Sequence, residues 1–157
     1  MELRPASVDE RTRLFDLIRA DAATYLGSGL DLIGFTWEEL AQAMGTVGWT
    51  AAATVDDRVV ALLWLELRNE VLHVHAIVVV PEWRRLGIGP RVLRRLAEEH
   101  RGDARVVELG VHDSNGAARR MYDALGFEVV AVRPEAGFSV LRCPIESLLE
   151  GGGAAGC

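Results

Sequence analysis

The spacing of hydrophobic positions switches between helical and alternating along the chain, and each switch falls on turn or capping residues. Leu3 and Arg4 open a short strand that Pro5 ends. Ser7-Val8-Asp9-Glu10 then reads as a capping box, in which the serine side chain caps a helix and the glutamate reaches back. Leu14, Phe15 and Ile18 follow at helical spacing, and Gly27-Ser28-Gly29 breaks the pattern. Thr36-Trp37-Glu38-Glu39 is a second capping box, predicting a short helix to about Met44.

The pattern then becomes that of strands. Thr50 to Val55 stops at the turn signal Asp56-Asp57, Val59 to Arg68 stops at Asn69-Glu70, and Val71 to Val80 stops at Pro81. Three strands joined by short turns predict an antiparallel meander. From Gly89 to His100, Val92, Leu93, Leu96 and Ala97 share one helical face, opposite Arg91, Arg94, Arg95, Glu98 and Glu99. Arg105 to Val111 is the next strand. Asn115 to Leu125 is a helix with Ala117, Ala118, Met121, Tyr122 and Leu125 on one face, and Gly126 supplies its C-terminal glycine. Phe127 to Val132 and Phe138 to Arg142 are two last strands, turning at Pro134. The predicted order is β-α-α-β-β-β-α-β-α-β-β, with one right-handed crossover that makes a parallel pair. The expected fold class is α/β (α+β), with a mixed, mostly antiparallel central sheet of about seven strands flanked by about four helices. Residues 1–150 form the expected single domain, and 151–157, a Gly/Ala stretch ending in Cys157, are expected to be disordered.

The chemistry concentrates after the fourth strand. Ile77-Val78-Val79-Val80-Pro81 leads through Glu82 and Trp83 into Arg84-Arg85-Leu86-Gly87-Ile88-Gly89, and this loop opens a helix. A helix start offers unpaired N–H groups and the positive end of the macrodipole to an anion. Glycines let the backbone approach a phosphate, and two arginines add charge. A dinucleotide fingerprint would need glycine where Val92 stands, and no Walker lysine follows. Taken alone, the two glycines fit an ordinary strand-to-helix turn better than an anion site. The longer spacing Arg84-x-x-Gly87-x-Gly89 resembles the pyrophosphate loop of the GNAT N-acetyltransferases. Asn115, Ala118, Tyr122 and Gly126-Phe127 resemble that family's second signature.

The resemblance implies a GNAT-like fold and acetyl-CoA as cofactor. It implies that Arg84, Arg85, Leu86, Gly87, Ile88 and Gly89 hold the CoA pyrophosphate. It also implies that Ile77, Val78 and Val79 carry the pantetheine arm on their backbone, and that Asn115, Ala118 and Tyr122 complete the cofactor site. Two positions depart from the family pattern. Pro90 removes an N–H that could have reached a phosphate, and Ala124 stands where many members carry a basic residue.

Acetyl transfer to an amine needs a neutral amine, a donor for the developing oxyanion and a proton for the departing thiolate. The resemblance implies Tyr122 as the acid; the plainer reading is a core tyrosine with a satisfied hydroxyl. His73 and His75, two apart on a strand, point to one face and suit proton relay from the amine. Their spacing resembles the arylalkylamine N-acetyltransferase branch, and the plainer reading is a pair of half-exposed histidines. Glu66 and Glu70 are further candidate bases. No metal site is expected, because a zinc site needs ligands beyond one histidine pair. On the acceptor side, Tyr25, Phe35, Trp37 and Trp49 with Asp21, Asp31, Glu38 and Glu39 either suit a cationic amine or are core aromatics and helix-start acids.

Composition narrows the picture a little. Half of the residues are hydrophobic and the net charge is −6, which argues against nucleic acid as a partner. Cys143 and Cys157 make no disulfide framework. The start of the chain lacks an apolar targeting region and no run is long enough to span a membrane, so a cytoplasmic protein without a membrane partner is expected. The expected acceptor is the primary amine of a small molecule. A protein N-terminus or lysine is the alternative, and a non-catalytic acyl-CoA-binding module is a third reading. Dimers are frequent in the family, which makes a homodimer the assembly the resemblance suggests.

Overall fold

The computed structural model describes residues 1–22 and 36–155, and the backbone only from Gly151 onward. Seven strands form one sheet: β1 (Glu2–Pro5), β2 (Trp49–Val55), β3 (Arg58–Arg68), β4 (Val71–Val79), β5 (Val106–His112), β6 (Glu128–Arg133) and β7 (Phe138–Pro144). Their order in the sheet is β1-β2-β3-β4-β5-β7-β6. Every neighbouring pair is antiparallel except β4 and β5. Five α-helices accompany the sheet among the described residues: α1 (Val8–Ala22), α2 (Trp37–Thr46), α3 (Ile88–His100), α4 (Gly116–Leu125) and α5 (Ile145–Ala155).

The local signals act as expected. Glu10 N–H donates to Ser7 Oγ at 3.1 Å, and Ser7 N–H donates to Glu10 Oε1 at 2.9 Å, closing the first capping box. Glu39 N–H donates to Thr36 Oγ1 at 3.1 Å at the start of α2. Asp56 and Asp57, and likewise Asn69 and Glu70, all have positive φ, the conformation of tight hairpin turns that match sheet twist. Gly126 ends α4 in the left-handed region at φ 97°. One helix is additional to those the sequence pattern predicts. α5 follows β7 directly, buries Ile145 and Leu148, and carries helical backbone through Ala155 into the stretch expected to be disordered. Its apolar positions are too few, and its glycines too many, for periodicity to reveal it.

Both faces of the sheet are covered. On one, Leu63, Leu65, Leu72, Val107 and Leu141 pack with Val92, Leu93 and Leu96 of α3, Tyr122 and Leu125 of α4, and Leu148 of α5. On the other, Leu62, Trp64 and Val78 pack with Leu14 of α1 and Met44 of α2. Trp37 and Trp49 each meet another ring. Trp37 meets Phe15 edge-on at 6.1 Å, and Trp49 lies against His100 at 5.9 Å. Tyr25, Asp31, Phe35 and Gly27-Ser28-Gly29 lie outside the described residues.

Two irregularities in β4 open the sheet. The strand pairs with β5 only from Val71↔Val106 to Val74↔Leu109, after which the two part. At the same point, β4 slips register against β3: Leu65 pairs Val74 and Trp64 pairs Ala76, so His75 is a bulge residue. Leu72 and Val74 face the α3 side, and so do Ile77 and Val79, while Ala76 and Val78 face the α1 side. A bulge bends its strand and raises the local twist, which turns β4 away from β5.

The entry to α1 carries a pH-dependent clamp. Arg4 holds Glu10 through two charge-assisted bonds of 2.7 and 2.8 Å, and this pairing pulls the Glu10 carboxyl down to about 2. A carboxyl depressed on folding stabilises above its unfolded pKa and loses that contribution as pH falls toward the folded value. The pair is partly exposed and is worth about 1 kcal/mol or less. Arg4→Met is expected to lower the urea midpoint at pH 6, with the difference from wild type closing as pH drops from about 4.5 to about 2. Parallel urea titrations at both ends of that window check it.

Candidate active site

The parting of β4 and β5 opens a cleft of about 790 Å³, walled by β4, the glycine loop and the start of α4. It brings together nearly all the residues singled out in the sequence: Ile77, Val78 and Val79 on the strand, Arg84, Arg85, Gly87, Ile88 and Gly89 on the loop, and Asn115, Ala118 and Tyr122 on the helix. Leu86 is not among its lining residues and is 61% exposed. Pro90, the departure noted in the loop, also lines it, as do Trp83, Ser114 and Met121, which nothing in the sequence pattern assigns to a site.

The loop geometry follows from its residues. Pro81–Trp83 form one 3-10 turn, which ends the strand and starts the reversal. Gly87 caps α3 in the left-handed region, at φ 73° and ψ 19°, and nothing lies within 4 Å of where a Cβ would stand. The start of α3 is therefore open to the cleft. Gly89 is glycine for another reason: a Cβ there would come within 2.9 Å of Met121 Sδ, so it permits close packing of α3 on α4. Arg84 is held in place. Its Nε donates to the Val79 carbonyl at 3.0 Å, and its Nη2 donates to Asp21 of α1 at 3.0 Å. The Val79 carbonyl thus points away from β3, toward the parted side, and by the two-residue period so do the backbone groups of Ile77. Asn115 caps α4, accepting from the Ala118 N–H at 3.3 Å.

Tyr122 is 6% exposed and lines both this cleft and a second cavity of about 200 Å³ deeper between the parted strands. His75, Gly110, His112 and Phe138 also line that cavity, with Asp21 and Ile18 at its α1 side. The two histidines of β4 are stacked, with ring centroids 6.0 Å apart and planes 12° apart. They share a face, as expected, but the structure separates their surroundings. His75 reaches the cavity, whereas His73, 12% exposed, is not among its lining residues.

Each histidine is set by a carboxylate. Glu66 Oε1 lies 2.8 Å from His75 Nε2, and this bond holds the Glu66 carboxyl below its usual range. An ionised carboxylate only accepts, so the Nε2–H of His75 donates to Glu66 and the Nδ1 side of the ring is left to face other partners. Glu108 Oε2 lies 2.7 Å from His73 Nδ1, while Arg142 Nε donates to Glu108 Oε1 at 2.9 Å. Burial works to raise the Glu108 carboxyl, but the Arg142 bond and the His73 ring outweigh it and keep the group low. Glu70 stands apart in its turn, paired with Arg105.

His112 is the functional-site candidate that sequence reasoning missed. Its Nδ1 lies 3.1 Å from the Ser114 N–H, which donates to it, and 2.7 Å from Ser114 Oγ. A nitrogen that accepts an amide hydrogen carries none, so the His112 proton sits on Nε2. Only the end of β5–β4 pairing brings His112 beside Tyr122, and nothing in its local sequence signals that.

The glycine-led start of α3, the open edge of β4 and the buried Tyr122 meet in one cleft. The model of the acetyltransferase (GNAT) family matches residues 12–127, and the chain belongs to that family. Over 60 residues it is 43% identical to the N-alpha-acetyltransferase RimI of Mycobacterium tuberculosis. That match spans 38% of this chain and 37% of the relative, little more than a third of its length. The fold resembles Ard1 from Thermoplasma volcanium, with a TM-score of 0.68 at 16% identity over 91% of this chain and 96% of that one. It also resembles the PaiA N-acetyltransferase of Thermoplasma acidophilum in complex with coenzyme A, with a TM-score of 0.67 at 16% identity over 91% and 98%. Among the described residues no helix is long and apolar enough to cross a membrane.

Proposed function

We propose that this chain transfers an acetyl group from acetyl-CoA to the primary amine of a small molecule. The observation that carries the reading is the single cleft joining the open start of α3, the unpaired edge of β4 and Tyr122. The residues fit coenzyme A. The space above Gly87 admits a diphosphate to helix N–H groups, and the free edge of Ile77–Val79 can pair with pantetheine amides as a short added strand. When bound, acetyl-CoA supplies an activated thioester carbonyl. Arg84, tied to Val79 and Asp21, fixes the loop, and Arg85 adds positive charge toward the phosphates.

The chain's own groups divide the proton work. The acceptor arrives as an ammonium ion, and His75 Nδ1 takes its proton, directly or through water, with Glu66 holding the ring. The amine nitrogen then forms the new N–C bond as the C–S bond breaks, and the acylated nitrogen sheds its second proton to solvent to leave the neutral amide. Tyr122 gives its hydroxyl proton to the leaving sulfur and is reprotonated from solvent. His73, anchored by Glu108, is the next station of a relay behind His75. His75→Leu is expected to lower kcat/KM about 100-fold, and His73→Leu less than about tenfold, with the Kd for acetyl-CoA unchanged in both. Steady-state kinetics beside calorimetric titration separates the two effects.

A protein N-terminus is the second reading, favoured by the similarity to RimI. A homodimer fits the edge strand β6, which exposes Val129, Val130 and Val132 and has no covering element among the described residues. The test mixes acetyl-CoA with a panel of primary amines and of short peptides with free α-amines. Free thiol is followed, and products are weighed by mass spectrometry. Products from small amines support the first reading, and products from peptides alone support the second. Binding of acetyl-CoA with no acetylated product from any acceptor overturns both.

A further inference from the structure

Gly110 lies in the middle of β5, one step beyond Val74↔Leu109, the last pair that β5 makes with β4. Neither backbone nor packing requires a glycine there. Its φ is not positive, unlike those of Gly48, Gly87, Gly126 and Gly137. A Cβ would meet only Phe138 Cδ1 and Ser139 O, both at 3.9 Å, which is ordinary contact. Glycine inside a strand nevertheless weakens it by about 0.5–1 kcal/mol relative to alanine, and such a residue often marks close approach of a ligand.

Gly110 is exposed, on the face of β5 that also carries Glu108 and His112, and it lines the cavity with His75, Tyr122 and Phe138. Any side chain at this position would stand in that cavity. The cavity is small, about 200 Å³ against about 790 Å³ for the cleft, which limits a substituent there to a compact one. Its lining includes the rings of His75, His112, Tyr122 and Phe138, whose faces suit a flat or compact group, beside aliphatic Ile18, Ile77 and Val111.

We propose that Gly110 is a specificity-determining residue: its missing side chain makes room for a compact apolar or aromatic substituent borne next to the acceptor amine. The inference rests on the acetyl-transfer reading and deepens it by naming the substrate class. An acceptor whose reacting nitrogen carries a ring or short branched group gains from the cavity, and one with a bare methyl group leaves it unfilled.

The test compares methylamine with benzylamine as acceptors for wild type, Gly110→Ala and Gly110→Leu, with the Kd for acetyl-CoA and a thermal melt for each. If peptides are the acceptors, peptides beginning with glycine and with phenylalanine replace the amines. Wild type is expected to prefer the ring-bearing acceptor by at least tenfold in kcat/KM. Gly110→Leu is expected to erase that preference with less than a threefold change for the small acceptor and an unchanged Kd. Gly110→Ala, which fits the strand, is expected to lower the preference partly while melting no lower than wild type, so it carries the test if the leucine variant unfolds. A preference unaltered in the variants, or equal losses on both acceptors, overturns the inference while acetyl transfer stands. No turnover by wild type on any acceptor overturns the acetyl-transfer reading and this inference with it.

Discussion

Replacing Gly87 with aspartate is expected to weaken acetyl-CoA binding at least 100-fold while leaving the protein folded. Gly87 is the cap of α3, and a Cβ added there meets nothing within 4 Å among the described residues. Its left-handed conformation costs a non-glycine residue about 1–2 kcal/mol, and aspartate is among the residues that tolerate it best. Aspartate is also a favoured helix cap and suits the positive end of the dipole. The same carboxylate then stands where the diphosphate would bind. At about 4 Å and an effective dielectric of 20, each pair of like charges repels by about 4 kcal/mol, more than a 100-fold loss requires. Gly87→Asn has the same shape without the charge and is expected to lose less than tenfold. Calorimetric titration of acetyl-CoA into the three proteins, beside their melting curves, reads both effects. Full binding by the aspartate variant would remove the loop from the cofactor site.

Replacing Tyr122 with phenylalanine is expected to lower kcat by about 100- to 1,000-fold with an unchanged Kd for acetyl-CoA. The ring is buried and packs on Phe127 at a centroid distance of 5.5 Å, and phenylalanine keeps that packing. Only the hydroxyl is lost. A positioned general acid contributes about 10²- to 10⁴-fold. A substrate whose leaving thiol is more acidic needs less help from the acid, so the defect is expected to shrink on an activated thioester. A kcat within threefold of wild type would return Tyr122 to the core.

Most of this architecture is legible in the sequence because its signals are local. The capping boxes at Ser7 and Thr36, the turns at Asp56-Asp57 and Asn69-Glu70, and the stop at Gly126 each depend on residues within a few positions of one another. The cleft beside β4 is legible for a similar reason: the loop from Arg84 to Gly89 and the helix from Asn115 are compact motifs. The cavity between the parted strands is not. His112, Gly110 and Phe138 meet His75 only because β4 leaves β5 at Val74, and a break in strand pairing is a property of two distant segments. Strict alternation would put Ile77 and Val79 on the face of His73, and the bulge places them on the other. α5 escapes notice because tertiary packing of Ile145 and Leu148 under the sheet, rather than a periodic stripe, sustains it.

The bulge at His75 also separates architecture from chemistry along a single codon. Remove His75 from the sequence, and Leu72, Val74, Ile77 and Val79 alternate without interruption against His73, Ala76 and Val78. The sheet, as a scaffold, is complete without that residue. In genetic terms His75 is a one-residue insertion into an otherwise regular strand, and the inserted residue is the one whose imidazole reaches the cavity between the parted strands.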